Sequence, residues 1–488
     1  MGSAGLKGGL YRPLSDEQVR TIHKAALDIL ERTGIGFEPE LRPEVDLLVK
    51  AGAKILPEQN RLRIPRNLIE ECLDRTPERV VLYSRDGNND LDLGDDRVHL
   101  GTGGAAVKIL DRESGQARPT TLQDLYLLAR LVDKLPNIHF FLRPCIPTDI
   151  PEADYDANVF YACFKGTAKH VMAGVNTKEA FHDVLEMAAS LAGGLEKLKA
   201  APFFSIITSF VISPLKLSTG PVRIMLECAK NGIPVALSGA PMAGSTSPLT
   251  MAGTLAQTHA EQLAGIVLAQ SASPSAPLLY GGIPSRADLQ TMNYCGGAIE
   301  CGMMNAAIHQ LAAYVRVPNY NSSGLTDAKI PDAQAGWEKG MTTLLTAMSG
   351  SNYIHHAAGM LESMICVAFE QYVLDDEIIG MTSRVLQGIE VDPEHLALEV
   401  IDQVGPGGEF MTAEHTFRHM RTEYFQGNRV SDRSNRTAWA RKGGQDAWSR
   451  ARELVAGKLA EPGPVHIPAD IETKLRQRFE LRLVESEE

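Results

Sequence analysis

Polar groups able to do chemistry are densest in one run, Asn319-Tyr320-Asn321-Ser322-Ser323-Gly324-Leu325-Thr326-Asp327-Ala328-Lys329, followed by Asp332, Gln334, Trp337 and Glu338. Amides, hydroxyls and carboxylates at that density do not fit a core segment, because each buried polar group needs a partner. They suit a ligand seat with Asn321, Asp327 and Gln334 as polar contacts, although Asp332 also stands where a helix N-cap would. His355-His356 form a second candidate. Side chains alternate along a strand, so one imidazole is expected to face a ligand and the other to point outward as a structural group. Tyr280, Tyr320, Trp337 and Tyr353 offer ring faces to a cationic ligand, or serve as ordinary packing. Bare backbone at Gly103, Gly104, Gly281, Gly282 and Gly324 permits close approach of a ligand or partner. Covalent and metal chemistry find less support. No His-x-His or His-Glu-x-x-His spacing accompanies the histidine pair, no Gly-x-Ser-x-Gly elbow occurs, and Cys295 and Cys301 lack an obvious base. No metal site is expected, and no single residue is marked as catalytic.

A repeating unit would position these groups. Short apolar runs at 98–102, 138–142, 170–173, 203–208, 233–237, 277–281, 315–320 and 353–357 alternate with amphipathic or Ala-rich stretches such as 122–131, 178–191, 222–231, 255–270, 298–314 and 333–348. Continuous apolar strands separated by helices imply parallel pairing covered on both faces, hence an α/β fold. Eight such units predict a closed (β/α)8 TIM barrel, in which ligand groups gather just past the C-terminal ends of the strands. An open doubly wound sheet is the alternative, weakened by the lack of a Gly-x-Gly-x-x-Gly turn. Residues 1–95 read as a mainly helical extension whose first helix is capped by Ser15 and Gln18 and ended by Gly34. Residues 96–360 read as the barrel catalytic domain, and 361–488 as a C-terminal helical segment packing on it.

Composition bounds the partners. Lys and Arg number 48 against 60 Asp and Glu, a formal charge of −12 with no basic run, which argues against a nucleic-acid partner. Hydrophobic residues at 44% and charged residues at 22% fit a globular chain. No apolar stretch is long enough to span a membrane, and the opening Met1-Gly2-Ser3-Ala4-Gly5 lacks a basic-then-apolar export signal. A soluble cytoplasmic protein is expected, with its seven dispersed cysteines reduced.

Several runs carry a resemblance. They are Leu14-Ser15-Asp16-Glu17-Gln18-Val19, Arg118-Pro119-Thr120-Thr121, Ser213-Pro214-Leu215, Tyr280-Gly281-Gly282, Gly324-Leu325-Thr326-Asp327-Ala328-Lys329, Asp332-Ala333-Gln334-Ala335-Gly336-Trp337-Glu338, Leu374-Asp375-Asp376-Glu377, Gly405-Pro406-Gly407-Gly408 and His415-Thr416. Together they make almost the whole chain resemble the trimethylamine methyltransferase (MttB) family. The resemblance implies a (β/α)8 barrel that passes a methyl group from a methylated amine to the corrinoid (cobalamin) of a separate corrinoid protein. Best-known trimethylamine-consuming members carry pyrrolysine, whereas this chain is written in standard residues. Relatives without pyrrolysine are associated with quaternary amines. The resemblance therefore implies a quaternary amine methyltransferase, with glycine betaine favoured and dimethylglycine released. An Asp-x-His-x-x-Gly corrinoid signature is absent, so the cobalamin is expected on the partner. That partner would dock over the loops carrying Gly103, Gly104, Gly281, Gly282 and Gly324, and a homo-oligomer is expected.

The chemistry agrees with that division. A quaternary nitrogen leaves as a neutral amine, so the methyl can be displaced without a general acid, and the protein is left to orient and desolvate. Its positive charge is lost at the transition state, so neutral aromatic walls suit it better than a carboxylate cage. A betaine carboxylate would be held by His355 or His356, Arg286, and the Ser and Asn groups after the seventh strand. A lyase or decarboxylase acting on a small acid, or a non-catalytic betaine-binding protein, are the competing readings.

Overall fold

The computed structural model describes residues 5–56, 60–427 and 430–484, so the opening residues 1–4 that bear on export lie outside it. Eight parallel strands carry the fold: β1 (Arg97–Thr102), β2 (Phe141–Leu142), β3 (Val171–Ala173), β4 (Phe204–Thr208), β5 (Val235–Leu237), β6 (Leu278–Gly282), β7 (Asn319–Ser322) and β8 (Tyr353–Ala358). A helix follows each in turn: α1 (Leu122–Asp133), α2 (Tyr155–Gly166), α3 (Lys178–Ala192), α4 (Thr219–Asn231), α5 (Met251–Ala272), α6 (Ile299–Tyr314), α7 (Ala333–Ser349) and α8 (Phe369–Gln387). Neighbours run β1-β8-β7-β6-β5-β4-β3-β2, all in parallel register. This is an α/β architecture of sequential βα units.

The two outer members, β1 and β2, face each other. His139 N donates to Leu100 O at 2.8 Å and Thr102 N to Phe140 O at 3.5 Å, and a parallel bridge joins Ala106 to Cys145. A regular ladder does not form there. The lower part of that edge of β1 is already taken by Leu6–Lys7, which pairs antiparallel with it.

Most strands lie where apolar runs predicted them. The seventh does not: expected at 315–320, it spans Asn319–Ser322. Helix α6 runs on to Tyr314, and Arg316 turns at φ 58° before the strand can start.

One cluster fills the inner face of the sheet. Phe140, Leu142, Met172, Ala236, Leu279, Tyr320 and Tyr353 pack there against Val80, Leu82, Leu91 and Leu93. Those last four come from a hairpin, Val80–Leu82 with Leu91–Leu93, that inserts its apolar side chains beneath the inner face. The segment before β1 thus mixes helices with short strands, including a small sheet of Ile35–Phe37, Lys54–Leu56 and Arg61–Arg63. Its first helix, Asp16–Asp28, carries the Ser15/Gln18 capping box.

C-terminal to α8 the chain runs along the helix layer. Lys134 donates to Glu461 O, Lys165 to Glu472, and Arg478 to Glu186. Arg452 donates to Arg112 O at 2.6 Å in the loop after β1, on the side of the C-terminal strand ends. All seven cysteines are free thiols, six of them buried. Among the described residues no helix is long and apolar enough to cross a membrane.

Candidate active site

Stacked rings climb the inner face toward the C-terminal strand ends. Phe140 and Tyr353 lie 3.6 Å apart at 13°, Tyr353 and Tyr320 6.1 Å, Tyr320 and His355 4.2 Å, and His355 and His356 3.9 Å. The two histidines come together because β8 does not alternate regularly. Its pairing with β1 shifts register between Ile354 and Ala358, and His356 adopts φ 65°, as a bulge residue does. The expectation of one imidazole inward and one outward is therefore corrected: both are buried and in contact.

Hydrogen bonds fix the tautomer of His355. Its Nδ1 donates to Asn321 O at 2.5 Å, so Nε2 is left to accept from the Tyr320 hydroxyl at 3.0 Å. His356 Nδ1 meets Ser322 Oγ at 2.8 Å. Burial holds His355 down at about 3 against the pull of the Asn321 carbonyl, and burial holds His356 well below the usual imidazole range. Burial likewise raises the Tyr320 and Tyr353 phenols. The whole column is uncharged at neutral pH.

An ion pair braces the end of this column. Lys339 Nζ lies 3.2 Å from Asp375 Oδ2, both side chains fully buried, and it also donates to the Gly324 and Met360 carbonyls. Asp375 in turn accepts from Gly359 N at 2.7 Å and Gln371 Nε2 at 2.9 Å. One pair thus ties the loops after β7 and β8 to helices α7 and α8.

The loop after β7 is itself a brace. Glu338 accepts from Thr326 Oγ1 at 2.6 Å, Asp327 N at 2.9 Å and Gln334 Nε2 at 2.9 Å, while Asp327 Oδ1 accepts from Gly296 N and from Ser363. The cavity beside Ser322, Ser323, Asn305 and Thr342 measures about 10 Å³, room for one water and too little for a betaine. Asp327 and Gln334 thus spend their side-chain groups within this network. Asn321 points the other way, donating to Asn305 O on α6.

Other expected contacts also move. The Tyr280 hydroxyl is hydrogen-bonded to His259 Nδ1 at 2.7 Å, and His259 Nε2 to His23 Nδ1 at 2.8 Å. Tyr280 follows inward-facing Leu279, so alternation turns it toward α5. Trp337 lies on α7 with 57% of its surface exposed, away from the column. Arg286 pairs with Glu300. Of the glycines, Gly103, Gly281, Gly282 and Gly324 are buried and Gly104 is half-exposed. A Cβ on Gly281 would meet Leu237 O at 2.3 Å and the Tyr320 ring at 2.7 Å.

On the opposite flank, just past β1 to β4, Gly104, Arg143, Gly174 and Ile207 are half-buried and Ser209 is exposed. Arg143 was not singled out from sequence, although an arginine directly at the end of an apolar strand is a legible signal. Its guanidinium lies against the hydroxyl of Tyr155, which burial pushes up to about 12 while Arg143 pulls it back, and its buried Nε has no carboxylate or carbonyl acceptor.

An α/β fold of eight parallel βα units, with uncharged rings and a buried arginine at one end of its strands, is the framework of a small-molecule enzyme. The chain belongs to the trimethylamine methyltransferase (MttB) family: a family model described as "Trimethylamine methyltransferase (MTTB)" matches residues 6–485. Trimethylamine methyltransferase MttB of Desulfitobacterium hafniense (strain DSM 10664 / DCB-2) is 36% identical over 479 residues, covering 98% of this chain and 95% of that protein. Glycine betaine methyltransferase of Desulfitobacterium hafniense (strain Y51) is 33% identical over 473 residues, covering 96% and 97%. Trimethylamine methyltransferase MttB of Methanosarcina barkeri is 33% identical over 479 residues, covering 96% and 95%.

Proposed function

We propose that this protein moves a methyl group from a quaternary amine, glycine betaine first, to the Co(I) corrinoid of a separate protein, releasing dimethylglycine. In this reading the eight strands act as a closed (β/α)8 barrel, supported by the main-chain bonds between β1 and β2. The chain before residue 96 and the chain past α8 are extensions. The observation that carries the function is the uncharged column of Tyr353, Tyr320, His355 and His356. Neutral rings stabilise a methylammonium through their faces without opposing the loss of its charge. A carboxylate there would favour the substrate over the transition state.

The corrinoid supplies the electron pair that forms the new cobalt–carbon bond, while the pair of the broken carbon–nitrogen bond stays on nitrogen as the amine's lone pair. No proton moves, so the chain's residues bind, orient and exclude water. The Arg143 guanidinium, held beside the Tyr155 hydroxyl and with no carboxylate of this chain on its buried Nε, seats the substrate carboxylate. The hairpin of residues 80–93 fills the far end of the inner face, so the methyl is presented toward the C-terminal loops. Those loops carry exposed Val107, Leu249, Leu289, Met292, Ile330 and Ile365, an apolar rim suited to a docking partner.

The test follows cob(I)alamin as it is methylated by the protein in the presence of a panel of quaternary amines. Glycine betaine should yield methylcobalamin, and Arg143→Gln should raise its KM by about 10- to 100-fold, the worth of a charged hydrogen bond. No methylation with any quaternary amine rejects the reading.

A further inference from the structure

A second site lies at the other end of the molecule. The chain leaving α8 crosses residues 388–427, and none of these forty residues is buried. They lie beside the N-terminal ends of the strands, because Asn137, just before β2, bonds to Asp376 on α8 and abuts Gly380. Ile389, Val391, Leu398, Met411 and Tyr424 are all exposed here, while the Phe425 ring packs on Gly380 of α8. A segment of this size without a core ordinarily holds its shape through cross-links, a metal or contact with another copy.

Nitrogen and carboxylate ligands converge within it. The helix Glu414–His419 presents His415 and His419 four residues apart, hence on one face. Glu394 approaches from the short helix Pro393–Leu396: His419 Nε2 is 3.1 Å from its Oε1, and His415 Nε2 is 3.1 Å from its backbone oxygen. The imidazoles of His415 and His419 lie 4.4 Å apart, and His395 stands 5.2 Å from His419. Ligand atoms of Glu394, His415 and His419 all fall within 4.8 Å of one another, and those of His395, His419 and Glu423 do the same. Donors on one tetrahedral zinc are roughly 3.3 Å apart, given zinc–nitrogen and zinc–oxygen bonds of about 2.0–2.1 Å. Closing onto one ion therefore shortens these separations by about 1.5 Å at most. Arg418 must give up its 3.1 Å contact with Glu394 when a cation enters.

We propose that Glu394, His415 and His419, with His395 as the nearest further ligand, bind a divalent transition metal of the zinc class that braces residues 388–427. Imidazole and carboxylate donors select zinc, nickel or cobalt over magnesium or calcium. Its position opposite the open end of the sheet makes the role structural rather than catalytic.

Zinc titration of the full chain, read by competition with a chromophoric chelator, tests this. The protein should take up one zinc per chain, and zinc should slow tryptic cleavage at Arg418 and Arg421. Loss of an outer-shell partner already weakens metal sites about 10- to 100-fold, so His415→Ala and His419→Ala should each weaken binding by more than about 100-fold. His182→Ala, at an exposed histidine remote from the cluster, should change nothing. Absence of stoichiometric uptake, uptake that survives both histidine substitutions, or an equal loss with His182→Ala would overturn the proposal.

Discussion

Replacing Lys339 by Met removes the ammonium that faces Asp375 at 3.2 Å inside a fully buried site. At that separation, with an effective dielectric of about 20, the lost attraction is about 5 kcal/mol. This agrees with the roughly 3–5 kcal/mol typical when one partner of a buried pair is deleted. Global stability is only about 5–15 kcal/mol, so the variant should unfold at markedly lower urea. The sign of its pH dependence is diagnostic. Burial already raises the Asp375 carboxyl and Lys339 opposes the rise, so without Lys339 the folded value climbs further above the unfolded one. The folded state then holds the proton more tightly, and the variant should recover stability as the pH falls through that raised value. Combining Lys339→Met with Asp375→Leu should cost less than the sum of the single changes, because no unpaired charge remains. Urea unfolding followed by tryptophan fluorescence, at several pH values, gives these quantities. A single-variant cost under about 1 kcal/mol, or a penalty that grows on acidification, would refute the reasoning.

The histidines make a second prediction. His355 sits at about 3 and His356 well below its usual range, so both are neutral throughout the physiological interval. Turnover should show no histidine-type inflection between about pH 6 and 7, the range of a free imidazole. With folded values below the unfolded one, their contribution to stability is complete above the unfolded value and declines as pH falls toward 3 for His355. Acid unfolding measured by circular dichroism should therefore begin near pH 6 and steepen downward. Tyr280→Phe should cost about 1 kcal/mol by breaking the bond to His259, with KM unchanged; a raised KM would return Tyr280 to the substrate seat.

The βα alternation was legible because parallel strands buried on both faces are continuously apolar. The eighth helix and the helix after β2 carry buried polar residues such as Asp375 and Asn158 that blur their stripes. Register inside the site was less accessible. Period-2 alternation separates His355 from His356, and only the positive φ at His356 brings the rings together. Nothing in a dipeptide of histidines announces a bulge. The run from Asn319 to Glu338 read as a ligand seat because it is polar, yet its groups satisfy one another as they tie the loop to α7. Polarity marked a buried network, and sequence alone does not distinguish that from a binding surface. The i, i+4 histidines at 415 and 419 were plain in the sequence, but their carboxylate partner sits twenty-one residues earlier than His415.

Product balance tests the central claim most directly. With reduced cobalamin in excess and glycine betaine as methyl donor, each methylcobalamin formed should be matched by one dimethylglycine, while trimethylamine yields neither product. Consumption of trimethylamine with glycine betaine left intact would contradict the account.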